Sequence, residues 1–278
     1  MKIDKDIMRE FIARSFAEDV GTGDITTQTT VPEGTEISGR FIAKESGVLC
    51  GLNVATAVFN YADSAIKFSA NFKDGDRVEK GDIIATVSGD AAAILTGERL
   101  ALNLMQRMSG IATNTQKAVQ QVSGYKAKIV DTRKTTPGLR VFEKYAVHTG
   151  GGTNHRFNLA DGVLIKDNHI KAAGGITNAV QSAKANAPHT LKIEVEVESL
   201  EQLEEAITAG ADIVMLDNMD NATMTKAVEQ TAGRAILEAS GNMGEKNLSD
   251  VAATGIDIIS IGALTHSVKA LDISLKFD

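Results

Sequence analysis

Six short apolar runs in the later part of the sequence each close on a charged, polar or glycine residue. AKIVDTR runs into Arg133 and Lys134, and GVLIKDN into Lys166. LKIEVEVE carries Glu194 and Glu196, and DIVMLDN reaches Asp217. AILEAS leads into Ser240, Gly241 and Asn242, and DIISIGA into Gly262. Arginine matches carboxylate or phosphate as a bidentate fork, and lysine acts on the same anions as a compact point charge. Serine and glycine at a strand-to-helix turn expose backbone N–H groups, which suits a phosphate. A pair of carboxylates suits Mg²⁺ held together with substrate phosphates, or the hydroxyls of a sugar. Glu194 and Glu196 share one strand face, because side chains alternate with period 2, and the sequence alone does not choose between them. His155, beside Arg156, is a candidate acid/base or a donor to an anion. No Ser/His/Asp or Cys/His set has a persuasive context, so covalent catalysis is not expected.

The charge around these residues is unusual for the chain. Between positions 131 and 171, Arg133, Lys134, Arg140, Lys144, Arg156, Lys166 and Lys171 stand against Asp131, Glu143, Asp161 and Asp167, whereas the whole chain carries a formal charge of -7. His148, His155 and His169 lie in the same stretch. A local positive field in an acidic protein points to a bound polyanion. The overall acidity, with no tryptophan, argues against a nucleic-acid surface. Cys50 is the one cysteine, so no intrachain disulfide forms and a reducing compartment, the cytoplasm, is expected. The first twenty residues are charged throughout and hold no secretory apolar region. No apolar run approaches the roughly 18 residues that read as a membrane span.

The elements that carry these residues change character near residue 100. Residues 1–20 read as an amphipathic helix, followed by a Gly/Thr/Asp loop. Residues 36–90 read as β-rich, with Asp74-Gly75 and Lys80-Gly81 as turns. The pattern over residues 66–89 is like half of a biotinyl or lipoyl carrier domain, without the modifiable hairpin lysine, so a structural β-layer is the expectation. From Ala91 a helical period takes over, with Gly110 expected to interrupt or end the first helix. The six runs then alternate with helical patterns, among them one that opens at Ser199 with Gln202 in the capping-box position and closes at Gly210. Strands alternating with helices imply an α/β fold with a parallel sheet. The short spacing from Asp217 to Ser240 to Gly262 suits a barrel, whose strand C-terminal ends would gather the polar residues in one bowl.

In combination, DTRKTTPGLR, GGTNHRFNL, IKDNH, LDNM, EASGNM and SIGALTHS, with EDVGTGDITT and GERLALNLMQRMSGIAT before them, resemble the quinolinate phosphoribosyltransferase family over nearly the whole chain. The resemblance implies an N-terminal α/β sandwich over residues 1–102, with residues 267–278 packing back on it, and an incomplete, open β/α barrel of parallel strands over 103–266. It implies a cytoplasmic homodimer, without membrane or nucleic-acid partners, in which each sandwich covers its partner's barrel mouth. It implies the substrates quinolinate and phosphoribosyl pyrophosphate, with Mg²⁺. Arg133, His155 and Arg156 would bind the two carboxylates of quinolinate, with Arg99 reaching in from the neighbouring subunit. Lys134 and Lys166 would lie near quinolinate and the pyrophosphate. Glu196 and Asp217 would serve the ribose hydroxyls and Mg²⁺, and Ser240, Gly241 and Gly262 the 5-phosphate. The rivals are a phosphoribosyltransferase for another aromatic acid, a molybdenum-linked relative of the same fold, an anion-binding protein without turnover and a carrier module.

Overall fold

The structure, a computed structural model, describes residues 1–278. In chain order its helices are α1 (Lys5–Val20), α2 (Ile25–Thr30), α3 (Leu52–Ala62), α4 (Ala91–Gln121), α5 (Arg140–Thr149), α6 (Asp167–Ala173), α7 (Ile176–Asn186), α8 (Leu200–Ala209), α9 (Asn221–Thr231), α10 (Leu248–Ala253) and α11 (Ala263–His266). The strands are β1 (Glu36–Ala43), β2 (Gly47–Val48), β3 (Lys67–Ala70), β4 (Arg77–Val78), β5 (Ile83–Asp90), β6 (Lys128–Val130), β7 (Val163–Ile165), β8 (Ile193–Val197), β9 (Ile213–Asp217), β10 (Ile236–Ser240), β11 (Ile258–Ser260) and β12 (Ile273–Phe277). The chain forms two compact units. One comprises Met1–Gln116, Thr136–Gly151 and Val268–Asp278, and the other Lys117–Thr135 and Gly152–Ser267. No helix is long and apolar enough to cross a membrane.

The first unit is built on an antiparallel sheet in the order β12-β1-β5-β3. Along β1 the residues Gly39, Phe41 and Ala43 are buried while Glu36, Ser38 and Arg40 are exposed, the alternation expected of a half-covered sheet. Phe41 packs on Phe59 of α3 and on Phe68 of β3, with ring centroids 6.0 and 5.6 Å apart. The C-terminal strand β12 pairs with β1 from Gly39↔Phe277 to Ala43↔Ile273. Gly75 and Gly81 take φ of +97° and +101°, as their Asp-Gly and Lys-Gly turns require. Residues 66–89 supply β3, β4 and β5, so the carrier-like pattern serves as sheet framework.

Three features of this unit depart from the sequence reading. Helix α3 lies within the stretch read as β-rich; its first N–H groups, those of Gly51 and Leu52, both donate to Asp74 Oδ1 at 3.0 Å, a cap supplied from more than twenty residues away. Gly110 does not interrupt α4. A Cβ there would stand 2.2 Å from the Lys269 carbonyl oxygen, so this glycine permits close approach of the C-terminal segment. The units also do not divide at 102/103: α4 runs unbroken across that position, and residues 136–151 belong to the first unit. That excursion holds α5. Phe142 packs on Phe11 with centroids 4.6 Å apart, and Glu143 is buried against Arg107.

The second unit carries all six expected strands in one parallel sheet, β6-β11-β10-β9-β8-β7, with β6 and β7 as its edges. It is an incomplete β/α barrel of six strands, and the mixed α/β class expected from the sequence stands. Ser199 caps α8 by accepting from the Gln202 N–H at 3.2 Å, and Gly210 closes it at φ +90°. The strands read differently on their two faces. Ile193, Val195 and Val197, Val214 and Leu216, and Leu237 and Ala239 form a buried apolar set. The alternate positions hold Glu194, Glu196, Met215, Asp217, Glu238 and Ser240. In-register pairs share a face: Glu196↔Met215, Glu238↔Met215 and Ser240↔Asp217. One face therefore supplies an apolar layer, and the other is unusually rich in acid.

Candidate active site

The candidate site residues, Arg99 apart, all lie in the second unit; most are in or just after its strands, and His155 and Arg156 lie in the connection between β6 and β7. Lys166 follows β7 and is the N-cap residue of α6. Its ammonium group donates to Glu196 Oε2, and its backbone N–H donates to His169 Nδ1 at 3.0 Å. Histidine His169, given no role from the sequence, thus fixes the main chain that carries Lys166. Asp217 ends β9 and accepts from Asn218 Nδ2 at 2.7 Å. Lys134 follows β6. Its N–H donates to Thr132 Oγ1 at 3.0 Å, and its carbonyl accepts from Thr265 Oγ1 at 2.9 Å. Lys134 also lies against Gly262, since a Cβ at Gly262 would stand 3.1 Å from its Cδ.

Arg156 is anchored by a bond from Nη1 to the Gly162 carbonyl at 2.8 Å. Burial, and then the nearby Arg133 guanidinium, push its pKa down, while Glu194 and Asp161 oppose this. The two guanidinium groups are thus near enough to influence one another's charge. The main chain beside them is pinned by the fully buried Asp131, which accepts from Asn154 Nδ2 at 2.6 Å and from the His155 N–H at 2.9 Å.

His155 Nδ1 accepts the Arg156 N–H at 2.8 Å, and its Nε2 is 3.2 Å from Glu194 Oε2 and 3.8 Å from Glu238 Oε1. The ring therefore contacts two buried acids of the same unit. Glu194 belongs to this buried group, whereas Glu196, the acid chosen through the resemblance, pairs with Lys166. Glu238 was missed altogether. It sits in the middle of AILEAS, and applying the period-2 argument to Glu238 and Ser240 would have placed it on the polar face.

Two further expectations change. The basic stretch 131–171 does not act as one field: Arg140 and Lys144 lie in the first unit, Lys144 fully buried, and Lys171 pairs with Asp167 at 3.4 Å. The glycine loops after β10 and β11 lead into a 3₁₀ turn at Met243–Glu245 and the four-residue α11, so the phosphate reading there rests on backbone N–H groups without a substantial helix dipole. Gly241 has φ +93°, and a Cβ on it would stand 2.2 Å from Asn218 Oδ1 and 2.8 Å from Asn218 N. Asn218 itself is left-handed at φ +54°. Gly241→Ala is expected to destabilise the protein by about 1–3 kcal/mol and to shift Asn218 away from Asp217. Thermal denaturation alongside turnover checks this; an unchanged melting temperature would contradict it.

Residues 24–109 match the family model described as the quinolinate phosphoribosyl transferase N-terminal domain, and residues 111–276 match the model of its C-terminal domain. The chain belongs to the quinolinate phosphoribosyltransferase family. Among curated relatives it is 47% identical over 268 residues to the probable nicotinate-nucleotide pyrophosphorylase [carboxylating] of Bacillus subtilis, covering 96% of this chain and 92% of the relative. It is 45% identical over 276 residues to the nicotinate-nucleotide pyrophosphorylase [carboxylating] of Mycobacterium leprae, covering 97% of each. Among solved structures, the nicotinate-nucleotide pyrophosphorylase of Francisella tularensis matches with a TM-score of 0.95 at 43% identity, covering 100% of this chain and 98% of that one. Membership in the quinolinate phosphoribosyltransferase family covers both units, so the carrier module and the non-catalytic anion binder are set aside. In this family member Arg99 is exposed on α4 of the first unit, apart from the other site residues in the chain's division.

Proposed function

We propose that the protein transfers the phosphoribosyl group of phosphoribosyl pyrophosphate to quinolinate and releases the 2-carboxylate as CO₂, giving nicotinate mononucleotide and pyrophosphate for NAD biosynthesis. The observation that carries this reading is the Arg133–Arg156 pair, held together in one unit with Lys134, Lys166, Glu196 and Asp217 at the strand ends. Two guanidinium forks match two adjacent carboxylates on one ring.

The pyridine nitrogen attacks C1 of the ribose, and the bond from C1 to the pyrophosphate oxygen breaks with its electrons leaving on pyrophosphate. Positive charge gathers on the ribosyl carbon and negative charge on the leaving group. Catalysis is then mainly positioning and charge stabilisation. Lys134 and Lys166 stand for the negative charge. Glu196 holds the Lys166 ammonium in place, and Asp217, oriented by Asn218, faces the ribose hydroxyls. Ser240, Gly241 and Gly262 offer the 5-phosphate subsite. Glu196 and Asp217 are the oxygen donors that would hold Mg²⁺, a hard cation that takes one or two carboxylates together with substrate phosphates. The ion would supply neutralisation of the pyrophosphate charge. Once the ring nitrogen is quaternised it draws in the electron pair of the breaking C2–carboxylate bond. CO₂ leaves, and C2 takes a proton from water.

Arg99, exposed on α4, is assigned to the site of a neighbouring subunit in a homodimer, and the lone buried Cys50 suits a reducing cytoplasm. Parallel assays with quinolinate and nicotinate test the substrate. Turnover of quinolinate and none of nicotinate is expected. Turnover of nicotinate alone would leave the phosphate subsite standing and overturn the dicarboxylate reading.

A further inference from the structure

The transfer chemistry leaves one buried cluster of the second unit unused. Glu194 and Glu238 are only 5% and 2% exposed, and their ligating oxygens, with a ring nitrogen of His155, lie within 4.8 Å of one another. Both line a cavity of about 360 Å³ whose walls include Val163, Ile213 and Ile258, the first residues of β7, β9 and β11. One oxygen of each acid, Oε1, is buried without a hydrogen-bond partner. Native proteins rarely leave such atoms unmatched; a cation, an ordered water or a proton would match them.

The tautomer of His155 argues against the cation. Because Nδ1 accepts the Arg156 N–H at 2.8 Å, the ring proton sits on Nε2, which points to Glu194 Oε2 at 3.2 Å. A metal ion would need the Nε2 lone pair, which a proton occupies. A second buried acid beside Glu194 favours the neutral form of Glu238, and a proton on Glu238 gives its carboxyl a donor. We propose that Glu238 is a positioning residue: as a neutral carboxylic acid it donates to Glu194, leaves Glu194 to accept from His155 Nε2, and so locks the His155 ring and the Arg156 main chain for the carboxylate substrate. The groups facing Glu238 agree with this division. Burial and Glu194 push its pKa up to about 7, against the opposing pull of His155, Ser260 and Lys166. Through Arg156 the inference rests on the quinolinate reading, but the tautomer does not.

The test pairs a spectroscopic with a kinetic readout. In ¹⁵N-histidine NMR of the whole protein, with the His155 signal identified by its loss in His155→Gln, a bare Nδ1 and a protonated Nε2 are expected at neutral pH. Glu238→Gln keeps a donor to Glu194, so it should preserve both that tautomer and the KM for quinolinate. Glu238→Leu removes the donor; the KM for quinolinate should rise roughly tenfold, with the KM for phosphoribosyl pyrophosphate unchanged. A proton on Nδ1 in the wild type overturns the proposal, as does a shift of the His155 signals on adding Mg²⁺ or Zn²⁺ alone. Equal effects of the Gln and Leu changes on the quinolinate KM would also overturn it. If quinolinate is not turned over at all, the activity reading fails and the wild-type tautomer still decides the role of Glu238. The same spectrum decides it if Glu238→Leu does not fold.

Discussion

Lys166→Ala lowers kcat by about 100-fold or more and leaves the fold intact. The lysine follows β7 on the backbone bond to His169, and its ammonium is held by Glu196. Its side chain is 45% exposed, so removing it breaks a surface-facing pair of small stability value. What is lost is a preorganised cation where charge develops on the departing pyrophosphate. The same variant probes the assembly. Arg99→Ala is expected to be similarly inactive, although Arg99 lies on α4 of the other unit. Mixing the two inactive variants after subunit exchange should restore about a quarter of the wild-type activity, because half of randomly mixed dimers carry one intact site of two. No recovery, with exchange demonstrated, would refute the shared site.

Arg107→Ala destabilises the protein by about 3–5 kcal/mol, the cost of leaving a buried charge without its partner. Glu143 is 1% exposed. Its Oε1 accepts from Arg107 Nη2 at 2.6 Å and from Nε at 2.9 Å, and its Oε2 accepts the Thr136 N–H at 3.1 Å. Arg107 Nη2 also donates to Thr136 Oγ1 at 2.7 Å. The arginine therefore ties α4 both to α5 and to the start of the 136–151 excursion. Urea denaturation measures the loss, with Arg107→Lys expected to recover only part of it, since an ammonium cannot reproduce the fork. A loss within experimental error of zero would show that α5 is held by its apolar contacts alone.

The second unit was legible because its information is local. Each strand is an apolar run, α8 carries its own Ser199 cap and Gly210 stop, and the charged strand ends mark one rim. The first unit was harder to read because its decisive contacts are distant in sequence. Asp74 caps α3, Lys269 explains Gly110, and Arg107 makes a buried Glu143 tolerable in α5. A helix whose buried face includes Glu143 and Lys144 looks like a polar loop until its partners are known. In the site, the residue types and rim positions of Lys134, Lys166, Glu196 and Asp217 were readable. The contacts of His155 with Glu194 and Glu238 depend on ring orientation, which spacing does not carry.

Ribosyl transfer in this chain is coupled to loss of the 2-carboxylate in the proposed reaction. The decisive assay uses quinolinate labelled in that carboxylate, phosphoribosyl pyrophosphate and Mg²⁺, counting labelled CO₂ against mononucleotide formed. One CO₂ is expected for each nicotinate mononucleotide, and neither product when phosphoribosyl pyrophosphate is withheld. Mononucleotide that retains the label, or CO₂ released without ribosyl transfer, would contradict it.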